Sequence, residues 1–149
     1  NAKYFAEGVA EYQKRLAAFA AFRIIELPEE KIEEKNASDA VVKKALDKEG
    51  KAILSNVRKG AAIVAMCIEG GTLSSEQFAD KLSKWMGSGV SHISVLIGGS
   101  CGLDESLKKS AQLRLSMSPM TFPHHLARVM VLEQLYRALN IASGGKYHK

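Results

Sequence analysis

Two cysteines, three prolines and one tryptophan are all that 149 residues hold of those types. Cys67 and Cys101 are too few and too far apart for a disulfide framework or a zinc site, so both read as reduced thiols. No apolar run approaches the ~18 residues of a membrane helix, and the chain opens without a basic-then-apolar leader. A cytoplasmic protein is therefore expected. No internal repeat and no linker-like stretch occurs, so residues 1–149 are expected to form one domain. Because the chain starts at Asn1 rather than Met, an N-terminal piece is expected to be missing. Charge of one sign is in mild excess only: the formal charge is +5 and the pI about 9.2. That balance suits a polyanion such as RNA but does not select it.

What the chain does have is alternation. Tyr4, Phe5, Val9, Tyr12, Leu16 and Phe19 recur at helical spacing, which predicts an amphipathic helix over 2–19. Phe22 to Leu27 is a short β-rich run stopped by Pro28, and Glu29 to Asn36 reads as a solvated charged loop. Ser38 caps a helix to about Arg58. Ala61 to Ile68 is nearly all apolar, as in a central parallel strand covered on both faces. Ser74 and Gln77 form a capping box for a helix to Met86. Ile93–Ile97 and Gln112–Ser116 are strands around a short helix at 104–111, and Pro123 opens a last helix to about Ile141. The order predicts an α/β fold, a mostly parallel sheet flanked by helices.

In such sheets ligands bind beyond the carboxyl ends of the strands. Three loops leave those ends: Glu69-Gly70-Gly71, Gly98 to Leu103, and Met117 to Phe122. No Gly-Lys-Ser or Gly-Lys-Thr occurs, and Gly98-Gly99-x-x-Gly102 does not match Gly-x-Gly-x-x-Gly. Nucleotide phosphates and dinucleotides are thus poor fits. Met117, Pro119, Met120 and Phe122 make an oily, adaptable loop suited to a flat adenine ring or a thioether, or else a buried connection.

Several separated motifs occur in order. They are Ile97-Gly98-Gly99-Ser100-x-Gly102, then Leu115-Ser116-x-Ser118-x-Met120-Thr121-Phe122-Pro123-His124, then Arg128, then Glu133-Gln134-x-Tyr136-Arg137-Ala138, then Tyr147-His148-Lys149. The order closely resembles the RlmH family, SPOUT-class methyltransferases of large-subunit ribosomal RNA. The resemblance spans essentially the whole chain, including the Glu11-Tyr12 helix and Lys48-Glu49-Gly50. The family opens with a short strand ahead of the first helix, and this sequence lacks it.

The resemblance implies a homodimer with a C-terminal trefoil knot, a feature chains almost never adopt. It implies S-adenosylmethionine bound by Met66, Gly98, and the loop of Met117, Ser118, Pro119, Met120, Thr121 and Phe122. The reaction it implies is methylation of N3 of a pseudouridine in 23S rRNA, with no metal, since the methyl donor carries its own leaving group. Candidates to act on the ring nitrogen are His148, Tyr147, Arg137 and Glu133. Glu133 and Arg137, four apart, equally suit a plain helical ion pair, and Tyr147-His148 a frayed tail. Lys3, Lys14, Arg15, Lys108, Lys109, Arg114, Lys146 and Lys149 are the candidate RNA contacts. The last helix is apolar on most sides, as one packed on the sheet and on a symmetry mate would be, and the tail of one subunit would then reach the pocket of the other. The competing reading is a ribosome-associated RNA-binding protein without catalysis.

Overall fold

The computed structural model describes residues 2–32 and 38–148. Glu33 to Asn36 of the charged loop and Lys149 of the tail lie outside the described residues. The chain divides into two compact units, each drawn from separate stretches of sequence.

The first unit comprises Ile25–Thr72 and Val90–Pro119. It carries α2 (Asp39–Leu54), β1 (Ala62–Gly71), β2 (Ile93–Leu96), α4 (Glu105–Ser110) and β3 (Leu113–Leu115). The strands lie in the order β2-β1-β3, with both pairings parallel. The apolar run takes the centre of the sheet, where its backbone pairs on both edges. Ala61 through Ala65 are all buried. Ile63 and Ala65 face a cluster of Leu96, Leu103 and Leu107, with Ile53, Val57 and Ala111 packed around it.

Ser38 starts α2 as expected, accepting the Val41 N–H at 3.3 Å. The helix stops at Leu54, short of Arg58, because the Ser55 hydroxyl and the Asn56 amide both donate to the Ala52 carbonyl, at 2.7 and 2.9 Å. Side chains that bond the backbone locally compete with helix continuation.

Phe22 to Leu27 does not form a strand. Ile24 and Ile25 are 41% and 42% exposed. β-Branched residues favour strands by packing on a neighbouring strand, and among the described residues none pairs with this stretch.

The second unit comprises Asn1–Ile24, Leu73–Gly89 and Met120–Lys149. Its elements are α1 (Ala2–Leu16), α3 (Ser75–Gly87) and α5 (His124–Ala142), and α5 packs on both of the others. Leu16, Phe78, Leu82, Val131, Leu132 and Ala138 are buried here. Gly8 lets α1 approach α5, since a Cβ there would sit 3.3 Å from the Val129 methyls. Tyr4 is 77% exposed and takes no part in the buried stripe of α1. The capping box forms as read: Gln77 N–H donates to Ser74 Oγ, and Ser74 N–H to Gln77 Oε1.

Candidate functional site

The carboxyl edge of the sheet in the first unit brings together the Gly98 loop and the start of the Met117 loop, whereas Glu69-Gly70-Gly71, expected as a loop, continues β1 as strand. Ala65 pairs with Leu96 and Met66 with Leu115. Met66, Gly98 and Met117 therefore all lie within about two residues of one level, at the carboxyl edge of the sheet. Met66, Gly98, Met117 and Ser118 are half-buried and Pro119 is exposed. Beyond Met66 the ladder slips, so that Leu115 pairs with both Met66 and Gly71. Gly70 passes so close to β3 that a Cβ would lie 2.8 Å from the Arg114 carbonyl. Ser116 N–H then donates to the Gly71 carbonyl at 2.8 Å, and its hydroxyl to the Ser118 carbonyl at 3.0 Å.

The glycine loop is tight from within. A Cβ on Gly98 would lie 2.4 Å from the Gly102 carbonyl carbon and oxygen, and Gly102 itself has a φ of +80°. Only glycine adopts both without strain. A Cβ on Gly99 would strike the Glu29 carboxylate. Glu29 accepts from the Ser100 N–H at 2.8 Å and its hydroxyl at 2.6 Å. Reading Glu29 as part of a solvated loop missed this anchor.

Met120, Thr121 and Phe122 begin the stretch assigned to the helical unit. Met120 is 73% exposed, Thr121 is exposed, and Phe122 is half-buried.

In the helical unit the tail is not frayed. Gly144, with a φ of +78°, turns the chain after α5. Gly145 N–H bonds the Asn140 carbonyl at 2.8 Å, and Tyr147 N–H bonds Asn140 Oδ1 at 3.1 Å. This folds Tyr147 and His148 back over the helix. The Tyr147 hydroxyl donates to Glu133 Oε2 at 2.8 Å. Arg137 grips the same carboxylate with two prongs, Nε to Oε1 and Nη2 to Oε2, each 3.0 Å. Arg137 also lies 4.7 Å over the Tyr147 ring, which meets the Tyr136 ring edge-on at 4.7 Å. Tyr12 and Phe19 flank Tyr136, and Arg15 lies over the Tyr12 and Tyr136 rings. All four candidate reactive residues thus meet in one cluster, and the Glu133–Arg137 pair has a third partner.

Charges within the cluster follow from these contacts. Burial works against ionised Glu133, but the Arg137 and Tyr147 hydrogen bonds prevail and hold it below the usual carboxylate range. Glu133 raises Arg137 in turn, against some burial. Tyr147 is pushed up to about 12 by burial first, then by its bond to Glu133. It is a neutral phenol throughout the physiological range. His148 Nδ1 faces Arg137 Nη1 at 3.0 Å. Arginine offers only donors, so Nδ1 accepts and Nε2 carries the hydrogen, facing Glu76 Oε1 at 2.5 Å.

Sequence reasoning overlooked Glu76, Asn140 and Ser75. Ser75 donates to Gln134, whose amide donates to Glu133 Oε1. Ser75 and Glu76 lie inside the capping motif, where they read only as helix-start residues. Lys108 is drawn away from the RNA-contact set: it is 13% exposed and bonded to Glu69 and Glu105. His125 stacks on Phe5.

A three-stranded parallel sheet flanked by helices, with glycine and methionine loops at its strand ends, defines an α/β protein. A family model described as predicted SPOUT methyltransferase matches residues 1–148, and the chain belongs to that family. It is 46% identical over 147 residues to the ribosomal RNA large subunit methyltransferase H of Bifidobacterium animalis subsp. lactis, covering 99% of this chain and 92% of that protein. The same values hold for the protein of that name from Alkaliphilus oremlandii. For the one from Listeria monocytogenes the identity is 44% over the same shares. The resemblance read from the motifs is thus borne out, as is the α/β fold with a parallel sheet.

Proposed function

We propose that this chain methylates N3 of a pseudouridine in the 23S rRNA of the large ribosomal subunit, using S-adenosylmethionine, as a cytoplasmic homodimer that works as one domain with a C-terminal knot. The clustering of Glu133, Arg137, Tyr147 and His148 carries the reading. Residues named from separate motifs meet around one carboxylate. The names of the relatives support ribosomal RNA of the large subunit as the substrate.

Met66, Gly98, Met117, Ser118, Pro119, Met120, Thr121 and Phe122 are the proposed cofactor residues. Half-buried thioethers and loop backbone at the sheet edge fit the chemistry of an adenine ring and a sulfonium. When bound, the cofactor supplies an activated methyl group with its own leaving group, so no metal takes part on this reading.

The cluster's work on this reading is donation rather than proton abstraction. Tyr147 keeps its proton, Glu133 is already committed to Arg137 and Tyr147, and the Nδ1 lone pair of His148 faces Arg137. Arg137 uses three of its five N–H bonds in these contacts. The other two can donate to the carbonyls that flank the ring nitrogen, stabilising negative charge there. One preorganised donor of this kind typically contributes ~10²–10³ in rate. The α5 helix suits the homodimer, with half-buried residues on most of its sides.

The test combines calorimetry with S-adenosylmethionine and transfer of labelled methyl to large ribosomal subunits. Expected are heat on cofactor addition and label at one pseudouridine, lost when that position is uridine. A chain that binds the particles but gives neither heat nor label is a non-catalytic RNA binder.

A further inference from the structure

The first turn of α3 sends two side chains toward the tail cluster from one place. Ser75 donates to Gln134 at 2.7 Å, and Gln134 donates to Glu133 Oε1 at 3.0 Å. Glu76 meets the other end of the cluster through His148. From Glu76 through His148 and Arg137 to Glu133 and Tyr147, each donor has an acceptor.

We infer that Glu76 is a positioning residue: by accepting from His148 Nε2–H it fixes the imidazole tautomer whose Nδ1 orients Arg137. Imidazole has one acceptor nitrogen in its neutral form. Without an acceptor at Nε2, the hydrogen is free to move to Nδ1. There it would face an arginine N–H, and two donors repel. Arg137 would then keep its grip on Glu133 but lose the third contact that sets the guanidinium plane. The Glu76 side chain is 61% exposed while His148 is 24% exposed, so the carboxylate reaches in from solvent to a more covered ring. Such an outer partner fixes the orientation of an inner group, as metal-bound histidines show, where its loss costs roughly 10–100-fold.

This inference rests on the proposed role of the tail, and the experiment separates the two. Full-length wild type, Glu76→Ala, Glu76→Gln and His148→Ala are compared for kcat and KM in methyl transfer to large subunits. Nitrogen-15 NMR of labelled histidine reads the tautomer of His148. Glutamine keeps an acceptor oxygen but loses the charge. Glu76→Gln should therefore retain the Nε2–H tautomer and a kcat within about threefold of wild type. Glu76→Ala should mix the tautomers and lower kcat about tenfold, with KM for S-adenosylmethionine unchanged, the low end of the range above. If Glu76 served only as a negative charge at the start of α3, the two variants would fall together, and the inference fails. It also fails if Glu76→Ala keeps the tautomer or the wild-type kcat while His148→Ala is impaired. If His148→Ala is itself fully active, the role of the tail falls first and the inference with it.

Discussion

Replacing Tyr147 by phenylalanine makes a sharp test of the cluster because it removes one oxygen and leaves the ring packing. The variant loses the hydrogen bond to Glu133, and a net cost of about 1 kcal/mol at pH 8 is expected for a half-buried bond to a charged acceptor. The effect then depends on pH. The phenol titrates at about 12 in the folded chain, up from 10.0. Its stabilisation is fully present below pH 10 and is lost as pH rises from 10 through 12, since the unfolded chain releases the proton first. With that shift the wild type gives up ~1.4 kcal/mol by pH 11 and ~2.3 kcal/mol by pH 12. Phenylalanine has no proton to lose. Urea unfolding at pH 8, 10 and 11 should show the gap between the two proteins closing and reversing, while lysines and the other tyrosines cancel in the difference. Absorbance titration should show one tyrosinate appearing late in the wild type and absent from the variant. A gap that stays constant from pH 8 to 11 would refute both the burial of the phenol and its bond to Glu133.

Three other perturbations follow from the same contacts. Deleting Tyr147 to Lys149 should abolish methyl transfer while leaving S-adenosylmethionine affinity within a few-fold by calorimetry; unchanged turnover would remove the tail from the mechanism. Glu133→Ala leaves Arg137 and Tyr147 without their shared acceptor in a half-buried site, so a loss of about 2 kcal/mol in urea unfolding is expected. Gly98→Ala sets a Cβ 2.4 Å from the Gly102 carbonyl, where loop backbone must give way. A cost of about 1–3 kcal/mol, read as a drop in Tm of several degrees, should come with weakened cofactor heat; a normal Tm would mean the loop is slacker than its geometry.

The helices and strands were legible because their signals are local. The apolar run of β1, the Ser74–Gln77 box and the proline before α5 each carry their own cause. The errors lie where the cause is distant. Phe22 to Leu27 has strand composition, but a strand needs a neighbour, and composition does not say whether one exists. Arg58 fell outside α2 because Ser55 and Asn56 turn their side chains onto Ala52, a choice that spacing does not reveal. The residues of the tail cluster came from matching separate motifs, since spacing alone does not show that Tyr147, 14 positions beyond Glu133, folds back onto it, or that Glu76 on α3 meets His148 72 positions further on. Glu76 was hidden by its own motif, which already explained it as a helix start. Glu29 was hidden by a charged neighbourhood, where a single anchored carboxylate looks like the rest.

The strength of the tail's fastening bears on what the tail can do. Four polar contacts tie it down: Tyr147 N–H to Asn140, its hydroxyl to Glu133, Arg137 to His148 Nδ1, and His148 Nε2 to Glu76. The first three are half-buried and contribute about 1 kcal/mol each, while the contact with Glu76 is open to solvent. Against them stands the entropy of ordering the residues after Gly144, roughly 1 kcal/mol or more apiece. With the Tyr147 ring also packed against Tyr136 and beneath Arg137, the opposing terms nearly cancel, so the arm is held by a small net free energy. Arg137 differs. It is anchored twice to a carboxylate on its own helix, one turn away, and draws only its third contact from the arm. The helix therefore carries the charge pair, and the arm carries the groups fastened to it from outside the helix. On the proposed reading, an RNA base arriving at the cluster would meet a guanidinium already paired with Glu133, whose contact with His148 is the easier to exchange.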